Sequence, residues 1–235
     1  MGYSLHYSYW LTLAIAVPTA GCLMRIFCIQ HDCGHRAFFR TKKANDRLGF
    51  VCSIFTLTPY HFWLKSHAYH HIHLGNLDFR ETGYIKLKTV REYLSLNAWD
   101  RFLYRLYRSP LVLFLVGPPL QFAIIHRFTF RVPTTWKQEK KSVHITNFTL
   151  AIALAIACLT VGAKTFLLTY APILILGSSL GVWVFYIQHT FQYAYWHRGD
   201  RWSLATASVA SSSYYCLPRI LQWFTLNNGI HHIHH

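Results

Sequence analysis

The sequence predicts an all-α integral membrane protein, with transmembrane helices and a cytosolic helical cap that holds a histidine-rich site. Three observations support this. The 235 residues are 53% hydrophobic and 17% aromatic, high for a water-soluble chain. Long runs are almost free of charge: Tyr9 to Ile29 carries only Arg25, and Thr146 to Gln188 carries only Lys164. Three histidine clusters repeat nearly the same spacing in this apolar background: His31/His35, His67/His70/His71 and His231/His234/His235.

A helix rises about 1.5 Å per residue, so roughly 20 apolar residues cross the hydrocarbon core. Residues 9–29 therefore predict one span. The second run is long enough for a helical hairpin, with spans near 146–163 and 165–188 and a turn near Val161–Lys164. The first run differs from a secretory signal, since no basic residue precedes it and its apolar part is too long. Two shorter stretches, Leu48–Tyr60 and Leu111–Ile125, predict interfacial or re-entrant segments, the second interrupted by Pro118 and Pro119. The chain is read as one domain over residues 1–235.

Between the spans, His31–Arg47 predicts a helix that leaves the bilayer and continues along its surface. Asn76–Arg108 is polar and charged and predicts a cytosolic helical segment, and a basic loop at His126–His144 leads into the hairpin. The net charge of +15 suits nucleic acid in principle, but its placement argues otherwise. Lys164 is the one basic residue expected on the side opposite the clusters, so the positive-inside rule puts the clusters in the cytoplasm. One span before the first cluster, and a two-span hairpin between the second and the third, place all three on one side.

On a helix, positions three and four apart share a face, so each cluster aims two or three imidazoles the same way. Imidazole serves zinc, copper, iron and nickel, and one zinc takes at most four ligands. The clusters supply His31, His35, His67, His70, His71, His231, His234 and His235, a number that suits two metal ions. Soluble di-iron bundles use Glu-x-x-His pairs, but none of Glu81, Glu92 or Glu139 has a histidine three residues on. Ile233 and the preceding Leu226–Ile230 distinguish the last cluster from a purification tag. His189 ends the third span at the depth expected for the other ligands; such a residue is often only an interfacial cap, and it is read here as a ligand. His6, His61, His73, His126, His144, His197 and His232 are read as structural or surface residues. The cysteines, Cys22, Cys28, Cys33, Cys52, Cys158 and Cys216, contain no C-x-x-C pair and are read as reduced packing residues, including Cys33 inside the first cluster.

The motifs HDCGH, HAYHH and HHIHH, with FYIQHT before the last, resemble the histidine boxes of the membrane fatty acid desaturases. Their wording is most similar to that of the acyl-lipid branch, the Δ12 and ω3 types, and the resemblance covers nearly the whole chain. It implies two iron ions bound by the boxes and by the extra histidine, His189. It also implies an O₂-dependent removal of two hydrogens from adjacent methylenes of an acyl lipid, leaving a cis double bond and water. Some relatives carry an Asn one turn before the extra histidine, where this chain has Phe185. Family members also have another helix before the first box and continue beyond the third, so the chain is expected to be a fragment truncated at both ends. The membrane would be a bacterial inner membrane, or an ER or plastid membrane in a eukaryote.

Asp32 is a candidate partner for the ligand imidazoles. Phe38, Phe39, Trp63, Tyr69 and Trp196 are candidates to line an acyl tunnel. No haem, flavin or Fe-S motif is present, so electrons are expected from an acidic carrier such as ferredoxin or cytochrome b5, steered by the basic face; adhesion to anionic headgroups explains the same charge. Iron loading is expected to fall on acidification toward pH 5, because a ligand imidazole must be neutral. Rival readings are an acyl, alkane or carotenoid hydroxylase or oxygenase at the same kind of centre, a metal-binding membrane protein or transporter, and a non-catalytic fragment. A transporter would need polar residues in its spans, and these spans offer only hydroxyls and Arg25.

Overall fold

In the computed structural model, all residues except Glu81 and Arg131 are described. Their architecture is helical, and β pairing among the described residues is limited to isolated bridges, Asn76 with His197 and Tyr214 with Ile230. Helix α1 spans Tyr9–Gly34, its first turn capped by the Ser8 hydroxyl, which accepts the Trp10 N–H at 3.2 Å. It runs past the expected end of the span, so its last turn carries His31 and His35 forms its C-cap.

The expected helix through Arg47 is broken. Arg36 takes φ +57°, a left-handed conformation that ends α1, and the chain reverses. Helix α2, Lys42–Phe55, is capped by Thr41 and packs back along α1. The Asn45 amide fixes the reversal by donating to the carbonyls of Phe39 at 2.7 Å and Thr41 at 2.9 Å. A helix continuing along the surface would leave α1's apolar flank uncovered, whereas the reversal covers it. Leu48–Tyr60 is accordingly not one segment: it is the second half of α2, a turn at Leu57 (φ +55°), and the first residue of α3, Tyr60–Ile72.

The described residues between Asn76 and Thr89 are largely irregular, so the helical part of the expected Asn76–Arg108 segment begins only at α4, Val90–Leu94, and α5, Ala98–Arg108. Thr89 and Glu92 form a reciprocal capping box on α4, and Asn97 caps α5. The Leu111–Ile125 stretch forms a π turn, Val112–Val116, then α6, Gly117–Ala123. With α5 it makes a broken helical pair bent by 58°.

The hairpin is α7, Lys137–Val161, and α8, Ala163–His189, joined at Gly162, whose φ of +85° suits a residue without a Cβ. α1, α7 and α8 are each long and apolar enough to cross a membrane. On α7, Phe148, Ile152, Ile156 and Leu159 are all exposed at helical spacing, as expected of a face in contact with lipid. Met24 and Cys28 of α1 pack on Val184 of α8 with Tyr215 and Leu226 of the tail. The tail continues through α9, Leu204–Ala210, and α10, Arg219–Thr225, which lies on α1, to α11, His231–His234. This packing brings the ends of α1 and α8 to the same place as α3 and α11.

Candidate metal centre

All nine predicted ligand histidines meet at that place. His31 and His35, four apart at the end of α1, have ring centroids 4.7 Å apart. Their Nε2 atoms, with those of His67, His71 and His234, form one connected set: His35–His67 2.9 Å, His67–His71 3.0 Å, His71–His234 3.0 Å and His234–His31 3.1 Å. His70, His189, His231 and His235 form a second: His70–His189 3.1 Å, His189–His231 3.0 Å and His231–His235 3.1 Å. The sets adjoin where the rings of His71 and His235 stack at 4.1 Å.

Hydrogen bonding among the rings does not account for these contacts. A neutral imidazole carries one N–H and one lone-pair nitrogen, so an Nε2 that faces two others cannot serve both with one proton. Each Nε2 offers either one proton or one lone pair, so the first set can satisfy two of its four contacts and the second two of its three. At His189 the tautomer is fixed: Nδ1 lies 3.0 Å from the Ser211 carbonyl, which only accepts, so Nδ1 holds the proton and Nε2 turns a lone pair into the cluster. His31 Nδ1 faces Asp32 Oδ1 at 3.3 Å in the same manner. Imidazole nitrogens lie about 2.0–2.1 Å from a metal, so two bound at right angles to one ion stand about 3.0 Å apart. The Nε2 spacings match that value. A cation at each convergence point would take every inward lone pair, and the donor set, all imidazole with no thiolate, suits a first-row transition metal.

The rings that lie outside the spans are held neutral. Burial, reinforced by neighbouring histidines, depresses His67, His70, His231 and His235, and lowers His71 to about 3 and His234 to about 2. An unfolded histidine titrates near about 6.5. Below that pH the unfolded chain takes up protons that the folded cage refuses, so the cage's contribution to stability is intact above pH 6.5 and is lost as pH falls toward 3. At pH 5 the folded rings remain neutral, so acid release of metal is expected to follow unfolding and not to precede it. Metal content and tryptophan fluorescence, followed together from pH 7.5 to 4.5, should fall in one coincident transition; release of metal ahead of the fluorescence change would contradict this.

Of the tunnel candidates, Trp63 stacks on His67 at 4.8 Å with a 12° interplanar angle. Trp196 packs on Tyr84 at 5.6 Å, and Tyr84 in turn on His70. Phe38 packs on Phe39 with 44% of its surface exposed, and Tyr69 packs on His73 at 4.0 Å, so neither meets the ligand rings. The histidines read as structural stay outside both sets; His232, for instance, lies 5.8 Å from Tyr214.

Three supports were missed in the sequence. Phe185 packs against both His70 and His189, at 5.4 and 5.1 Å. The Ser211 carbonyl leaves no side-chain signature. Tyr84 lies edge-on to His70 at 4.6 Å and donates its hydroxyl to the His70 carbonyl at 3.2 Å. Tyr84→Phe is expected to keep the packing and cost about 1 kcal/mol of stability. Tyr84→Ala, which frees the His70 ring, should lower metal affinity by about 10–100-fold. Equilibrium dialysis of both variants separates the two effects.

The fatty acid desaturase family model matches residues 8–235. The chain is 44% identical to a fatty acid desaturase of Bacillus subtilis over 232 residues, 99% of this chain and 65% of that protein. It is 31% identical to an sn-1 acyl-lipid omega-3 desaturase (ferredoxin) of Synechocystis over 79% of this chain and 52% of that protein. An sn-1 oleoyl-lipid 12-desaturase of the same organism is 24% identical over 96% and 64%. The chain thus spans about one half to two thirds of the length of these relatives. With its membrane-length helices and its histidine cage, the chain belongs to the fatty acid desaturase family.

Proposed function

We propose that the protein is an acyl-lipid desaturase of the Δ12 or ω3 type, inserting a cis double bond with O₂ and two iron ions held by His31, His35, His67, His71 and His234 on one side and His70, His189, His231 and His235 on the other. The observation that carries this reading is the convergence of nine Nε2 atoms into two sets at the common end of α1 and α8. Bound iron would supply the oxidising power, drawn from O₂, that C–H cleavage requires. The protein's part is to hold the rings: burial keeps His67, His70, His71, His231, His234 and His235 neutral, Ser211 sets the tautomer of His189, Asp32 orients His31, and Trp63 lies over His67.

Lys164 lies in the first turn of α8 and His189 ends it, about 40 Å apart along the helix. A cytosolic cage with Lys164 outside follows from the positive-inside rule. Electrons would come from an acidic carrier such as ferredoxin or cytochrome b5; the Synechocystis omega-3 relative carries ferredoxin in its name. The test is expression of the chain, with any coding sequence that flanks it in its gene, in a host that makes only monounsaturated lipids, followed by gas chromatography. A new diene is expected. A hydroxy acid would move the assignment to a hydroxylase, and unchanged lipids with bound metal would favour a metal-binding protein.

A further inference from the structure

A second concave site lies away from the histidine cage, on α4 and α5. Lys88, Val90, Tyr93, Tyr104, Arg105 and Arg108 line a cavity of ≈ 320 Å³. Three of the six are cations and none is a carboxylate. The nearby acids are already engaged: Glu92 receives Arg80 at 2.5 Å and Arg198 at 2.6 Å, and Asp100 receives the Asn97 side chain at 2.9 Å. The two guanidinium heads are also held in place. Arg105 Nε donates to the Tyr93 hydroxyl at 2.5 Å, and the Arg108 guanidinium lies 5.3 Å over the Tyr186 ring. Each guanidinium keeps further N–H donors for a ligand, in a fork suited to phosphate oxygens.

The same helix is strongly amphipathic. Trp99, Phe102, Leu103 and Leu106 of α5 are 66%, 53%, 42% and 47% exposed, while Arg101, Arg105 and Arg108 occupy its other side. A short helix with this pattern, followed directly by an apolar segment packed on α8, is expected to lie in the membrane interface with its apolar face in the acyl region. Anion donors beside an exposed apolar face fit a molecule with both chemistries. Free phosphate would use only the cations and a neutral lipid only the apolar face. Arg108 also ties the cavity to the cage, because Tyr186 is one helical turn before His189 on α8.

We infer that the Lys88/Arg105/Arg108 cavity binds the phosphodiester headgroup of an anionic glycerophospholipid, whose acyl chains enter the bilayer along α5, and that this lipid is the carrier presented to the metal centre. The last clause rests on the desaturase reading; headgroup binding does not. The test uses the iron-loaded chain in neutral detergent micelles, titrated separately with dioctanoylphosphatidylglycerol, dioctanoylglycerol and inorganic phosphate, and read by tryptophan fluorescence. Phosphatidylglycerol is expected to bind most tightly. Lys88→Gln and Arg105→Gln should each weaken it by roughly tenfold, while Lys141→Gln, which removes an equal charge on another surface, should not.

Retained iron in each variant guards against misfolding. Equal affinity for dioctanoylglycerol, or for inorganic phosphate alone, would overturn the proposal. So would variants that bind lipid normally but raise the KM for reduced ferredoxin, which would make this a carrier-docking surface. Phosphatidylglycerol binding without a new double bond in any lipid would leave the headgroup site standing and remove the desaturase reading instead.

Discussion

On the proposed desaturase reading, His189→Ala is expected to remove about one metal ion per chain and to abolish double-bond formation. His189 Nε2 faces both His70 and His231, so it joins the four-membered set, and its loss leaves three rings. It also leaves the Ser211 carbonyl buried without the ring N–H it accepts. Loss of an outer partner typically costs about 10–100-fold in metal affinity, and loss of the ring itself should exceed this. His67→Ala makes the matching test of the five-membered set, where His67 faces His35 and His71. The control is His232→Ala, which removes a histidine from α11 that lies outside both sets. Metal analysis of membranes purified in parallel, with gas chromatography of the same cells, reads all three. Two ions retained in His189→Ala would return that residue to the role of an interfacial cap.

How far the site was legible in the sequence depends on how local each feature is. The pairs His31/His35 and His67/His71 could be read directly, because a helix converts four-residue spacing into a shared face. The apolar lengths of α1, α7 and α8 carried the membrane class for a similar reason. Arg36, by contrast, gave no warning that the chain would reverse: a left-handed residue is rare outside Gly, Asn and Asp, and the reversal is stabilised by Asn45, nine residues on. Tyr84 reaches His70 from an irregular segment, and Ser211 acts through its backbone; neither position has a periodicity to betray it. Aromatic content could nominate Trp63 and Phe38 alike, but only the packing of α3 against α1 separates the ring stacked on His67 from the one turned outward.

Gly229→Ala is expected to cost nearly as much as loss of a ligand, although the residue touches no metal-facing ring. A Cβ at position 229 would run into the carbonyl oxygen of Tyr215, closer than real Cβ contacts allow. The obstacle is backbone and cannot swing aside as a side-chain tip would. Tyr215 N–H donates to the Gly229 carbonyl at 3.0 Å, and Gln188 donates to the Asn228 carbonyl at 3.1 Å, so the loop is held from two directions. The strand-like crossing is followed at once by α11, where His231 is the first residue. Relief of the clash must therefore move α11, and with it His231, His234 and His235, out of register with α3 and α8. Overpacking of this kind costs about 1–3 kcal/mol, and displacement of three rings adds loss of metal. Gly181→Ala, where a Cβ meets open space on α8, should leave melting temperature and metal content unchanged. If Gly229→Ala binds metal as well as Gly181→Ala does, the third histidine cluster is not positioned by this loop, and the support must come from the packing of α9 on α11 instead.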